Sequence, residues 1–421
     1  MLYRLKNSGY ESYLVGGCVR DLLLGLNPKD FDIATNATPE QVRGLFNNSR
    51  LIGRRFKLVH VTFGREIIEV ATFRAGHEET ADDKNKSSTN DQGMLLRDNV
   101  YGTLEDDAVR RDFTVNALYY GVQDFSIKAY GPGLKDLKSR TLRIIGEPEV
   151  RYREDPVRML RAARFAAKLD FQIEAKTKAP IKDLYPLLFN IPPARMFDEV
   201  LKLFLSGRAV ATFDQLRTLG LFEPLFPATA QLLNEQIEAD VDREFIDRFL
   251  HQALLNTDDR IERGRPVTPA FLFAAFLWPV VDHKAKQLVE SGTPVIPAFH
   301  QAAQQTISEQ CRHTAIPKRF SSQMREIWDL QHRLPRRTPK RALDLLEHPR
   351  FRAAYDFLLL RESAGENMDG LGQWWTDFQE AKPGDRESMV KELGPGGKKR
   401  SQRKPRKRYR NYNKKPQRAT E

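Results

Sequence analysis

The sequence predicts an α+β protein, in which a small head built on a mixed sheet with helices is followed by all-helical domains. Three observations carry this. Residues 13–74 alternate short apolar strand patterns with helical ones. Residues 150–380 keep a helical period almost throughout, punctuated by Pro and Gly, with no fixed-period repeat. From 382 the chain turns to Gly, Pro, Lys, Arg, Ser and Gln, a composition that cannot bury a core and is expected to be disordered when free.

The 421 residues leave room for two to four packed units. No apolar run is long enough to cross a bilayer, and Met1 to Tyr10 does not read as a signal peptide, so a soluble, cytoplasmic protein is expected. Two cysteines, Cys18 and Cys311, suit a reducing compartment and exclude a zinc cluster. The eight histidines show no metal spacing. Residues 391–421 hold 13 Lys/Arg and 2 Glu, and so carry +11 of the net charge of +12. The excess charge belongs to a tail and not to the folded part.

In chain order, "YLV" (13–15) reads as a strand, "CVRDLLL" (18–24) as a helix and "FDIAT" (31–35) as a strand. "LVHVTFG" (58–64) and "EIIEVATFR" (66–74) read as a hairpin. The polar stretch 76–93 carries no period and reads as a mobile loop. "LEDDAVRRDFTVNALYY" (104–120) is amphipathic and helical. In "RYREDPVRMLRAARFAAKL" (151–169), Pro156 suits a first helical turn, and Arg158, Arg161, Arg164 and Lys168 share one stripe.

The chemistry concentrates in "YLVGGCVRDLLLGLNPKDFDIAT" (13–35). Side chains alternate along a strand, so Asp30 and Asp32 are expected on one face with Phe31 turned into the core. Two carboxylates that close raise each other's pKa unless a cation lies between them, and Mg²⁺ is the natural one, taking one or two carboxylates beside phosphate oxygens. Gly16 and Gly17 lie where a strand turns into a helix, and bare N–H groups there suit a phosphate. Phosphate and metal together are what nucleotidyl transfer needs. A third carboxylate has two candidates, Glu69 on its strand and Asp112 in "RRDFTVNAL". The basic stripe reads equally as a solvated face; the acidic pair Glu154–Asp155 beside it offers donors and acceptors for a base edge.

"LVGGCVRDLLLG", "DFDIAT", "EVATFR", "RRDFTVNAL" and "REDPVRMLRAARFAAKL" together resemble the class II nucleotidyltransferases, the family of tRNA CCA-adding enzymes and bacterial poly(A) polymerases. The resemblance is specific over roughly residues 10–205. "LIGRRFKLVHVTFGREIIEVATFR" (51–74), "NIPPARMFDEVLKLFLSG" (190–207) and "LFEPLFP" (221–227) resemble the bacterial poly(A) polymerase version. It implies a pol β-like catalytic head over 1–137, a helical neck with a nucleotide- and RNA-binding motif over 138–205, a helical body and RNA-binding region over 206–381 and a disordered polybasic tail over 382–421. It implies that Asp30 and Asp32 hold two Mg²⁺ ions, with Mn²⁺ as the alternative, and that Asp112, preferred to Glu69, is the third catalytic carboxylate. Gly16, Gly17 and Arg20 would contact the nucleotide and Arg111 its phosphates; Glu154, Asp155 and Arg158, with Arg161 beside them, would read the base. Cys18 stands where the family more often has a small or aliphatic residue, and Ala129 and Pro132 replace Asp and Gly at the head–neck hinge. A preceding N-terminal segment usual in the family is expected to be missing or to begin at another start codon.

The activity implied is template-independent addition of AMP from ATP to RNA 3′ ends, promoting RNA decay, with CCA addition to tRNA as the first rival. An RNA-binding protein with an inactive head is the second, against which the intact Asp30, Asp32 and Asp112 argue. The family implies an RNA chaperone and the RNA-degradation machinery as partners. The tail, with Tyr409 and Tyr412 among its cations, is expected to bind RNA by counterion release and stacking, with contact to anionic lipid as the alternative.

Overall fold

The computed structural model describes residues 1–53, 57–75, 87–89, 95–98, 100–234 and 242–393. These divide into two compact units, Met1–Ser321 and the chain from Ser322 onward. The head of the first unit opens with α1 (Leu2–Asn7), β1 (Ser12–Val15), α2 (Gly17–Leu23), β2 (Asp32–Thr35) and α3 (Pro39–Leu45). It continues through β3 (Ser49–Ile52), β4 (Leu58–Phe63), β5 (Glu66–Thr72), β6 (Ser87–Thr89), β7 (Leu95–Asp98) and α4 (Leu104–Arg110). β8 (Leu118–Gly121), β9 (Ile127–Ala129) and α5 (Gly133–Lys138) complete it.

Seven strands form one sheet in the order β3-β4-β5-β2-β1-β8-β9. Only β2 and β5 run parallel, with Asp32 opposite Glu69; the other neighbours are antiparallel. The predicted hairpin is β4–β5. Both faces of the central strands are covered: Ile33, Val59, Val61 and Val70 are almost fully buried in one core, and Val15, with Tyr13 and Ala34, in a second on the opposite face. α3 is held at its start by a capping box, in which Thr38 accepts from the Gln41 N–H and Gln41 from the Thr38 N–H.

Four sequence expectations change. Phe31 is 40% exposed and does not enter the core, because the strand begins only at Asp32. The helix expected over 104–120 stops at Arg110; Asp112 accepts its neighbour Phe113's N–H, a 3₁₀ turn follows, and Leu118–Gly121 joins the sheet beside β1. Within the expected loop, Ser87–Thr89 pairs with Leu95–Asp98; residues 76–86 and 90–93 lie outside the described residues. Disorder does not begin at 382: Pro383–Lys391 is a helix and Val390 and Leu393 are buried. The expectations for 394–421 lie outside the described residues.

Beyond the head come β10 (Thr141–Leu142), α6 (Pro148–Glu154), α7 (Val157–Leu169), β11 (Gln172–Ile173), α8 (Ala175–Lys178), α9 (Ile181–Leu184) and α10 (Pro193–Phe204). α11 (Ala209–Thr218), α12 (Pro227–Leu233), α13 (Arg243–Glu262), α14 (Pro269–Glu290) and α15 (Val295–Gln310) follow. α14 is apolar on every side from Ala270 to Val281, and this part is accordingly buried, its Phe273 and Phe276 packing against Phe197, Phe204 and Phe226. α16 (Lys318–Arg333), α17 (Pro339–Leu346), α18 (Phe351–Ser363), α19 (Leu371–Glu380) and α20 (Pro383–Lys391) are the last elements among the described residues. The second unit packs around Trp375, Phe351, Tyr355, Leu358 and Phe378.

Candidate active site

The turn from β1 into α2 needs Gly16. Its φ of 76° is a conformation that side chains disfavour, and a Cβ there would stand 3.4 Å from Arg111 Nη1. Arg111 is locked in place: Nε donates to Tyr119 Oη at 2.8 Å, and Nη2 to Asp107 Oδ2 at 3.0 Å. Burial works against its charge, but Tyr119 and Asp107 outweigh burial and hold the guanidinium more basic than usual.

Asp30 is exposed and Asp32 half-buried at the start of β2. Burial raises the Asp32 carboxyl above its ordinary value; Glu69 and Asp30 push the same way and Arg111 opposes. Glu69 follows from the parallel register, and its carboxylate meets His60 Nε2 at 3.1 Å. Crowded hard oxygen donors are a fitting set for Mg²⁺, which needs only one or two protein carboxylates. Among the described residues no larger metal-binding cluster forms.

Asp112 has a different setting. It is 9% exposed and bonded by the Phe113 N–H at 2.8 Å, Asn116 Nδ2 at 3.0 Å and Arg161 Nε at 2.7 Å. Burial opposes its charge, but Arg161 and these donors lower its carboxyl to about 2. Asp112 is thus already compensated by a cation, whereas Glu69 faces Asp32. Arg20 is 2% exposed, bonded to Asp21 at 2.8 Å and to Asn116 at 2.5 Å, and lies over the Phe165 ring.

The basic stripe of α7 faces the head. Arg161 reaches Asp112, and Lys168 lies 3.7 Å from Asp21. The break before α7 comes at Asp155, whose carboxylate accepts the Val157 N–H at 3.3 Å where Pro156 offers none. Glu154 pairs with Arg151 at 2.6 Å and Arg158 at 2.8 Å; Asp155 pairs with Arg195 at 2.8 Å. Burial, with repulsion from Arg74, Arg151 and Arg158, pulls the Arg110 guanidinium down to about 10 against Glu154.

Arg111, Asp112, Asp155, Arg158 and Arg161 line a pocket of about 420 Å³. Its far wall is α10, through Arg195, Asp198, Glu199 and Lys202. The sequence reading assigned these four no role. Their signal was present as a polar stripe at helical spacing on a helix whose Met196, Phe197, Val200 and Leu203 are buried.

A mixed sheet carrying paired aspartates at a strand start, a glycine turn beside them and an arginine-lined pocket define a nucleotidyltransferase head of the pol β-like kind. Family models agree in three places. Residues 12–143 match the "poly A polymerase head domain", 170–233 the "probable RNA and SrmB-binding site of polymerase A" and 291–411 the "polymerase A arginine-rich C-terminus". The chain is 52% identical to poly(A) polymerase I of Salmonella typhimurium over 396 residues, covering 93% of this chain and 84% of that protein. A CCA-adding enzyme of Lactobacillus helveticus is 36% identical over 235 residues, 55% of this chain and 56% of that enzyme. The crystal structure of the Bacillus stearothermophilus CCA-adding enzyme in complex with CTP shares the fold, with a TM-score of 0.54 and 24% identity over 93% of this chain and 80% of that one. The chain belongs to the poly(A) polymerase I family.

Proposed function

We infer that this chain is a polynucleotide adenylyltransferase, transferring AMP from ATP to the 3′-OH of RNA with release of pyrophosphate. The observation that carries this reading is the 52% identity to poly(A) polymerase I across 93% of the chain. The sequence likeness to the CCA-adding enzyme of Lactobacillus helveticus is weaker, at 36% identity over 55% of the chain.

In this reading, Asp30 and Asp32 hold Mg²⁺, and Glu69, opposite Asp32 in the register and bonded to His60, adds negative charge beside them. Bound metal supplies charge neutralisation at the triphosphate and a more acidic 3′-OH. The remaining contributions come from the chain itself. Arg111, immobilised by Asp107 and Tyr119, meets the phosphates without reorganising, beside the Gly16–Gly17 backbone. Asp155 and Arg158 present donors and acceptors to the adenine edge in the pocket, and Glu154 holds Arg158 there by an ion pair. Asp112 and Arg20 act as positioning residues, since their polar atoms are engaged with Arg161, Asn116 and Asp21. Residues 1–137 serve as the head, 138–205 as neck, 206–381 as body, and the tail beyond 393 as a polybasic RNA contact. No helix among the described residues is long and apolar enough to cross a membrane, and a cytoplasmic role in RNA processing fits this.

The deciding experiment incubates the protein with generic RNA and with tRNA lacking CCA, under each single NTP in Mg²⁺. Long A tails on generic RNA are expected. C and A added to tRNA alone would replace this reading with CCA addition, and no transfer at all would leave the inactive-head reading.

A further inference from the structure

The second unit contains a stretch whose charges conflict with its local structure. Residues 331–341 include Arg333, Arg336, Arg337, Lys340 and Arg341 and no acid. Arg333 ends α16, where a cation suits the negative end of a helix. Lys340 and Arg341 have no such reason. They occupy the first turn of α17, the positive end, which has no acidic residue and whose N-cap Thr338 makes no side-chain capping bond. Such a violation of a local rule marks a place kept for something other than stability.

Arg333, Arg336 and Arg341, with Asp344 and Leu345, line a cavity of about 210 Å³. Among the described residues none of these three arginines forms an ion pair, although carboxylates in the same unit pair with Arg350, Arg352 and Arg361. Arg337 adds to the uncompensated charge: it is 8% exposed, lies 4.8 Å over the Trp374 ring, and its Nε is buried without a hydrogen-bond partner.

We propose that this arginine-lined cavity binds a phosphodiester group of single-stranded RNA, giving the second unit a defined contact with the strand that the head extends. Guanidinium forks match phosphate oxygens two at a time. The Asp344 carboxylate in the wall leaves a modest positive excess, which suits the single charge of a phosphodiester and disfavours a free triphosphate. The proposal rests on the adenylyltransferase reading for the identity of the ligand.

The test uses the full chain and a labelled single-stranded oligoadenylate, with binding followed by anisotropy from low to physiological salt. Each single-strand phosphate contact contributes about 0.7 to the slope of log K against log salt, so Arg333→Gln/Arg336→Gln/Arg341→Gln, which removes the one phosphodiester contact, should lower the slope by about 0.7. The corresponding triple Lys variant should keep the slope, since lysine still displaces counterions, but bind more weakly for want of the fork. The kcat at saturating RNA should stay at the wild-type value in both. If the triple Gln variant does not fold, Arg336→Gln in the connecting loop should still weaken oligoadenylate binding and lower the slope, by no more than about 0.7. An unchanged slope in a folded, active Gln variant overturns the proposal. So does an unchanged RNA slope with weakened binding of free ATP or of an acidic peptide, which would assign the cavity to those ligands. Absence of adenylate transfer by the wild-type chain would overturn the adenylyltransferase reading and leave the slope comparison readable.

Discussion

Arg161 Nε, on α7, donates to Asp112 Oδ2 at 2.7 Å across 49 residues of chain, and so joins the helical arm to the edge of the catalytic head. This pair decides how Asp112 behaves. Its folded carboxyl titrates at about 2, against about 3.9 in an unfolded chain. A depressed carboxylate pKa contributes stability that is present above the unfolded value and lost as pH falls through the folded one. Stability should therefore decline between about pH 4 and pH 2 in part through Asp112. Asp112→Asn should lose about 2–3 kcal/mol at neutral pH, since it removes the charge that pairs with Arg161. It should also lack that acid component. Urea unfolding of both proteins at several pH values reads this out, and parallel pH profiles would contradict it.

The two candidates for the third carboxylate are separable by kinetics. Asp30→Ala or Asp32→Ala should abolish adenylate transfer with the fold intact, because neither side chain is a core contact. Glu69→Ala should be severe too, by about a hundredfold or more in kcat, of the order expected where charge stabilisation at the reacting centre is removed. Asp112→Ala should act more through stability and nucleotide KM. A mild Glu69→Ala beside an inactive but fully folded Asp112→Ala would return the catalytic role to Asp112.

Base selection should depend on the ion pairs around the pocket. Arg158 is held by Glu154 at 2.8 Å and Asp155 by Arg195 at 2.8 Å. Arg158→Ala and Arg195→Ala should each relax the preference for ATP over CTP by about 1–3 kcal/mol, the value of a specifying hydrogen bond. The ratio of kcat/KM for the two nucleotides measures it. A uniform fall with an unchanged ratio would make both residues structural or phosphate-bound.

His251 on α13 gives a second pH dependence, opposite in sign. Burial works against its charge, but Asp214 on α11 at 3.0 Å and the Asp247 carbonyl and carboxylate raise its pKa above the usual value. Arg217 also pairs with Asp247 and competes for it. A raised histidine contributes stability that is full below about pH 6.5, the unfolded value, and lost as pH rises through the folded pKa. His251→Gln should therefore narrow the stability difference between pH 5.5 and 8.5. Equal differences in wild type and variant would show that the histidine stays neutral.

Much of the site was legible in the sequence because its chemistry is local. The Gly16–Gly17 turn and the Glu154–Asp155 break follow from local turn geometry, and Asp30 and Asp32 are close because they are two residues apart, although the strand periodicity expected of them does not hold, since β2 begins at Asp32. The poly(A) polymerase family was legible for the same reason, since its motifs are short and ordered along the chain. What depended on distant partners was not legible. The parallel pairing of β2 with β5 sets Glu69 beside Asp32, and nothing in "EIIEVATFR" specifies that neighbour. The strand 118–121 has a helix-compatible pattern, and its place beside β1 overrides local preference because Leu118 and Tyr119 are buried there completely. The stripe on α7 could equally have faced water; only the fold brings Asp112 and Asp21 against it, and α10 across the pocket from it. Local residue order determined which groups the protein possesses. Tertiary packing decided which charges they meet, because a carboxylate's role depends on whether a cation, another carboxylate or water lies within a few ångströms of it.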